Sequence, residues 1–155
     1  MWYKRQIVHR TSKRIFRFLD PVYNLLDPLA YPMIRFVAGA MMIPHGYGKV
    51  FGGIEGTTQF FASAGLEPAL MLAWYVGLIE LVGGICVALG LFTRFMSAQL
   101  IGVLAVATFY IHLPSGFMWV KGGYEYPLFW LVVMVAITIK GGYRLSMDNL
   151  LGKEF

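Results

Sequence analysis

Residues 74–91, WYVGLIELVGGICVALGL, form an apolar run long enough to cross a membrane, and this run carries a carboxylate, Glu80, near its middle. A charged carboxylate at the centre of a bilayer costs about 2.5–3.5 kcal/mol on insertion scales, so it normally faces a bundle interior beside a partner. The stretch therefore predicts a buried transmembrane helix, and the other spans must supply a partner for Glu80.

The composition is that of an integral membrane protein. Of 155 residues, 58% are hydrophobic and only 14% are charged, whereas soluble domains carry about a quarter charged residues. Because each crossing takes roughly 20 residues, the length predicts an all-α, polytopic membrane protein with a four-transmembrane-helix bundle. The lipid bilayer is then its first partner.

The N-terminus is basic and amphipathic. Of the 13 basic residues, Lys4, Arg5, Arg10, Lys13, Arg14 and Arg17 precede the first acid, Asp20. This charge fits anionic lipid headgroups better than nucleic acid, and the interleaved apolar residues predict an interfacial helix over residues 1–20. A mitochondrial-type presequence has a similar composition and stays an alternative. Three prolines in residues 20–32 then predict a bent connector, because the residue before proline disfavours helix. Residues 1–30 thus precede a transmembrane domain over residues 31–155.

Four spans are predicted within that domain: Met33 to Phe51, Ala69 to Leu91, Phe95 to Leu113, and Tyr124 to Lys140. Between the first two, residues 52–68 predict a small interfacial helix that carries Phe60 and Phe61. The turn Phe92-Thr93-Arg94 is so short that the spans beside it must be antiparallel neighbours. Basic residues near the span ends concentrate on one side, so the positive-inside rule predicts that both termini are cytoplasmic.

Polar residues from separate spans fall at similar depth. His45 and Lys49 are four residues apart and share a helix face. His112 ends the third span and Glu125 begins the fourth, so these groups converge on the outer half of the bundle above Glu80. Lys49, His112 and Glu125 could instead extend to the headgroups as anchors.

Small residues surround the polar layer. Gly83 and Gly84 follow Glu80 by three and four residues, and Gly46 follows His45. Such residues let helices approach closely. The single cysteine, Cys86, excludes an intrachain disulfide and is predicted to be a core residue.

Two kinds of chemistry fit this layer. A carboxylate and a histidine near the membrane–water boundary could hydrogen-bond a quinone headgroup and handle its protons. Alternatively, His45 and His112 could ligate a haem b or a metal. Two histidines on different helices have no diagnostic spacing, so no metal site is predicted and the quinone is preferred.

Five stretches together resemble the DoxX family of small four-helix membrane proteins: RFVAGAMMIPHGYGKVFGG (35–53), FFASAGLEP (60–68), GLIELVGGICVALGLFTR (77–94), GYEYPLFWL (123–131) and SMD (146–148). The resemblance covers nearly everything after residue 30. It implies shared polar positions at Arg35, His45, Lys49, Glu80, Arg94, Glu125 and Asp148. Some members look like membrane subunits of thiosulfate:quinone oxidoreductases, and others accompany superoxide dismutase and sulfurtransferase-like proteins.

We therefore expect a bacterial inner-membrane subunit of a quinone-linked redox or oxidative-stress system, with a larger redox protein as partner. Any enzyme activity would belong to that complex. The candidate catalytic residues are Glu80 and His45, and the candidate pocket residues are Arg35, Lys49, His112 and Glu125. The expected structural residues are Gly46, Gly83, Gly84, Arg94 and Asp148. A non-catalytic scaffold and a small transporter or proton-conducting bundle are the alternatives, and homo-oligomers are left open.

Overall fold

Helices make up nearly all of the structure, a computed structural model that describes residues 15–153. The α-helices are α1 (Asp20–Tyr47), α2 (Ile54–Ser63), α3 (Ala69–Leu78), α4 (Gly84–Leu89), α5 (Thr93–Val106), α6 (Glu125–Lys140) and α7 (Met147–Leu151). Three π-helical segments, Gly48–Gly52, Ile79–Gly83 and Ala107–His112, extend α1, join α3 to α4 and extend α5. The predicted all-α class is confirmed, and the helix predicted around Phe60 and Phe61 is α2.

Three helical stretches are long and apolar enough to cross a membrane: Arg17–Gly52, Ala69–Leu89 and Thr93–Ser115. They contain the first three predicted spans almost completely. Large apolar side chains such as Phe36 and Phe95 lie exposed on their outer surfaces, as expected for helices that contact lipid. The protein is therefore a multi-pass membrane protein.

The fourth predicted span corresponds to α6. This helix has 16 residues, or about 24 Å at the usual rise per residue, which is short for a crossing. It packs along α5 in the antiparallel direction. Arg94, at the start of α5, donates to the carbonyls of Thr138 (2.8 Å) and Ile139 (2.7 Å) near the end of α6. A crossing by α6 stays a prediction.

The prolines near the N-terminus do not interrupt α1. The bent connector predicted for residues 20–32 is wrong, because the helix begins at Asp20 and includes Pro28 and Pro32. Pro21 lies in the first turn, where a missing N–H costs no hydrogen bond. Prolines are tolerated inside membrane helices because neighbouring groups satisfy the freed carbonyls. The predicted interfacial helix falls mainly on residues 1–14, outside the described residues.

The core lies where α1 and α4 meet α5 and α6. Its buried apolar residues are Ala38, Met42, Val87, Leu100, Leu104, Trp130, Leu131, Met134 and Ile137. Cys86 is a free, buried cysteine. α2 packs on α3 at one end of the bundle, where Phe61 contacts a smaller cluster with Ala69 and Ala73. This arrangement leaves space between α2 and the main core.

Candidate functional site

Each long apolar stretch contains one π-helical segment, and each segment carries one of the predicted polar residues. Lys49 lies in Gly48–Gly52, Glu80 in Ile79–Gly83, and His112 in Ala107–His112. Isolated π-helical turns inside α-helices occur frequently at functional sites. All three side chains line the same cavity. The sequence did not predict these segments, because a change from i→i+4 to i→i+5 hydrogen bonds does not alter the hydropathy pattern.

Glycines bring the first two spans into backbone contact beside this cavity. A Cβ atom at Gly46 would overlap the backbone nitrogen of Leu81 and lie 2.6 Å from the carbonyl oxygen of Gly77. A Cβ at Gly84 would lie 2.8 Å from the carbonyl oxygen of Gly39. Only glycine permits this approach. The close packing brings Lys49, three residues after Gly46, opposite Glu80.

Lys49 is the partner of Glu80. The Nζ atom of Lys49 donates to Oε2 of Glu80 at 2.5 Å, and the two side chains are 25% and 11% exposed. A carboxylate this deeply placed is tolerated when a cation neutralises it. The sequence predicted that another span would supply a partner for Glu80, and the structure shows that this partner is Lys49 of the first span. The pair adds no net charge to the cavity wall.

The cavity measures about 950 Å³, within the range of sites that bind small molecules. His45, Lys49, Glu80 and His112 all contribute to its lining, so four of the predicted residues come together. The remaining wall is mainly apolar and includes residues that the sequence did not single out: Met42, Val76, Leu104, Tyr126 and Trp130. They lie on four different helices, and hydropathy alone gives no signal for their convergence.

His112 is held in one tautomer by the loop before α6. Its Nδ1 atom lies 2.7 Å from the carbonyl oxygen of Gly122. Because a carbonyl oxygen only accepts, Nδ1 must carry the hydrogen, and Nε2 of the neutral ring remains an acceptor. Glu125 lies outside the cavity lining and accepts from the backbone N–H of Trp119 at 3.2 Å. It therefore orders the loop that contains Trp119 and Gly122.

Arg35 does not line this cavity. It is 3% exposed and donates to the carbonyls of Val87 (3.3 Å) and Leu145 (2.6 Å). These bonds tie α1 to the end of α4 and to the segment before α7. The sequence grouped Arg35 with the pocket residues, whereas the structure places it at the other end of the bundle.

Asp148 belongs to the same end as Arg35. Its carboxylate, 2% exposed, accepts from the backbone N–H groups of Phe92 (2.8 Å) and Thr93 (3.0 Å) and from the Thr93 hydroxyl (2.6 Å). It thus caps the N-terminus of α5 from a distant part of the chain. Ser146 caps α7 by accepting from the N–H of Asn149 at 3.1 Å. Residues 146–148 form a clasp, which we call the C-terminal clasp.

The fold and the cavity define a small helical membrane protein with a ligand-sized internal site. The family model DoxX matches residues 31–113, and the chain belongs to the DoxX family. A relative in Bacillus subtilis, CatD, bears the name of a candidate oxidoreductase and is 34% identical over 121 residues, which are 78% of this chain and 86% of the relative.

Two relatives in Haemophilus influenzae have no assigned function. One is 31% identical over 83 residues, covering 53% of this chain and 55% of the relative. The other is 29% identical over 130 residues, covering 82% and 94%. No solved structure matches the chain.

Proposed function

We propose that the protein is a membrane subunit of a quinone-linked redox or oxidative-stress system and that its cavity binds a quinone-like headgroup. The observation that carries this proposal is the mainly apolar cavity of about 950 Å³ in which His45, Lys49, Glu80 and His112 meet. A planar quinone ring with two opposed carbonyl oxygens needs apolar walls and a few well-placed polar groups. The name of the Bacillus subtilis relative supports a redox role.

The cavity residues fit such a headgroup. The Lys49 ammonium keeps two further N–H donors beyond the one directed at Glu80. The indole N–H of Trp130, a residue of the cavity wall, finds no acceptor among the described residues. Buried donors are nearly always paired, so this N–H suits a ligand oxygen. Tyr126 and Trp130 supply aromatic surface for the ring.

The residues of this chain would bind the ring and exchange its protons. His112 offers Nε2 as an acceptor, while Lys49 and Glu80 hold each other at one side of the cavity. A quinone takes up two protons with two electrons when it is reduced, and histidine and carboxylate groups serve as acids and bases in such steps. The electrons would come from a partner protein of the bacterial inner membrane.

Quinone binding can be tested with the full chain in nanodiscs, using quenching of tryptophan fluorescence by decylubiquinone. We expect saturable quenching, and about tenfold weaker binding for Glu80→Gln, because Lys49 then loses its charged partner. The matched control is Glu55→Gln, an exposed carboxylate outside the cavity lining. Absence of saturable binding to the unaltered protein would refute the proposal.

A scaffold role is the second candidate, and the Lys49–Glu80 pair favours it as well, since each charge already has a partner. In that case the polar groups stabilise the bundle and activity lies wholly in a larger complex. Glu80→Gln would then lower the thermal stability and the recovery of that complex. A variant that keeps full quinone binding but loses its partner on purification would support the scaffold.

A further inference from the structure

Residues of both α3 and α5 line the cavity, and the two helices make few direct contacts with each other. In the chain, α4 lies between α3 and α5. In space, α4 packs on α5, whereas α3 packs mainly on α2 and α1. The second and third spans therefore contact each other mainly through Ile79–Gly83 and α4. Leu72, Tyr75 and Val76 line the cavity from α3, and Gly102, Val103 and Val106 line it from α5. Their spacing places each set on one helix face.

The opening between α3 and α5 is apolar and lies within the membrane-spanning stretches. Val106 is 44% exposed, and the neighbouring Trp74 and Phe109 are also exposed. Gly102 borders open space, because a Cβ atom there would have no atom within 4 Å. A glycine with this much room beside it leaves a groove on the helix surface. Gly102 and Val106 are exposed and lie in the apolar stretch Thr93–Ser115, so their exposed sides contact lipid when this span crosses a membrane.

The end of the cavity near α2 is covered. Phe60 and Phe61 of α2 line the cavity there, and the Tyr110 hydroxyl donates to the carbonyl of Ala64 at 2.8 Å, which ties the third span to the segment after α2. The loop with Trp119 lies on the same side. At the lower edge of the opening, the Tyr75 hydroxyl donates to Oε1 of Gln99 at 2.6 Å.

We propose that the opening between α3 and α5 is a lateral portal that takes the hydrocarbon tail of a lipid-soluble ligand whose polar head lies beside Lys49 and Glu80. This inference rests on the proposed function and adds the ligand's tail and its route. The ion pair makes the polar end of the cavity neutral overall, which suits an uncharged headgroup. The apolar groove past Gly102 and Val106 suits a chain that continues into the bilayer.

The test compares two ligands that share a ring: decylubiquinone, with a ten-carbon tail, and ubiquinone-0, with none. Gly102→Leu fills the groove, and forcing a tail past it should lower the affinity by about 5- to 150-fold, the equivalent of overpacking a core. We expect that loss for decylubiquinone and a clearly smaller loss for ubiquinone-0, which has no tail to pass the groove. Each ligand is compared across the protein variants and not with the other ligand. Its partitioning into the nanodisc bilayer is therefore the same in every measurement that is compared.

Two further variants complete the experiment. Val106→Phe narrows the same opening from the next turn of α5 and should reproduce the effect if Gly102→Leu fails to fold. Ala136→Leu, on an exposed position of α6 outside the cavity lining, should leave both affinities unchanged.

Equal weakening of both ligands, or no weakening of either, by the portal variants would overturn the portal while leaving the quinone site intact. If neither ligand binds the unaltered protein, the proposed function fails and the portal with it. Loss of a co-purifying phospholipid without any change in quinone affinity would assign the groove to membrane lipid and also overturn the proposal.

Discussion

Gly46 lies directly against the backbone of Leu81, at a distance that leaves no room for a side-chain carbon. Gly46 precedes Lys49 by three residues, and Leu81 follows Glu80. The contact therefore sets the spacing of the two helices at the level of the ion pair. Close packing and charge pairing are two parts of one arrangement.

The first prediction concerns this contact. Gly46→Ala should lower the free energy of unfolding by about 1–3 kcal/mol, because the new methyl group meets backbone atoms that cannot move aside. The control is Gly48→Ala, where a Cβ would meet open space. Thermal unfolding in detergent, followed by circular dichroism, gives the comparison. Equal stability of the two variants would show that the helices can separate without cost.

The second prediction concerns the ion pair. Lys49→Met or Glu80→Gln alone should cost about 1.5–3 kcal/mol, because each leaves one partly buried group without its partner. The double variant should cost less than the sum of the two single changes. A double-mutant cycle of unfolding free energies measures this coupling. Strict additivity would mean that the pair contributes no interaction energy.

The third prediction concerns the C-terminal clasp. Asp148→Ala removes the acceptor for the N–H groups of Phe92 and Thr93 and should cost about 1–3 kcal/mol. Asp148→Asn keeps one carbonyl oxygen and should cost less. The control is Asp27→Ala, at an exposed position on α1. Thermal unfolding of the three variants gives the comparison. If Asp148→Ala matches the control, the clasp does not stabilise α5.

The fourth prediction concerns the topology of α6. In a Cys86→Ser background, Lys121→Cys and Arg144→Cys should react with a membrane-impermeant maleimide from opposite sides of the membrane. Right-side-out and inverted vesicles distinguish the two sides. Reaction of both positions from one side would show that α6 does not cross, and the termini would then lie on opposite sides.

The sequence predicted the first three spans well, because a bilayer demands long apolar runs and such runs are visible in composition. It also brought His45, Lys49, Glu80 and His112 together, since depth can be counted along a helix. It failed where the outcome depends on other parts of the chain. The prediction of a break at the prolines of α1 is wrong, because the preference of the residue before proline is weaker than the stability of the surrounding helix. The prediction that Arg35 lines the pocket is also wrong. Arg35 binds the carbonyl of Leu145, which is 110 residues away in the chain, and such a distant partner leaves no local signal in the sequence.

The C-terminal clasp also has a consequence for the order of synthesis. The N-terminus of α5 receives its cap from a carboxylate 55 residues later in the chain, and Arg35 donates to a carbonyl 110 residues after itself. A ribosome will have delivered the first three spans to the membrane before either group exists. The bundle can therefore begin to assemble before residues 146–148 are synthesised, but it becomes locked only once they are present. A chain truncated before Ser146 would keep its first three spans and lack the hydrogen bonds that fix the start of α5.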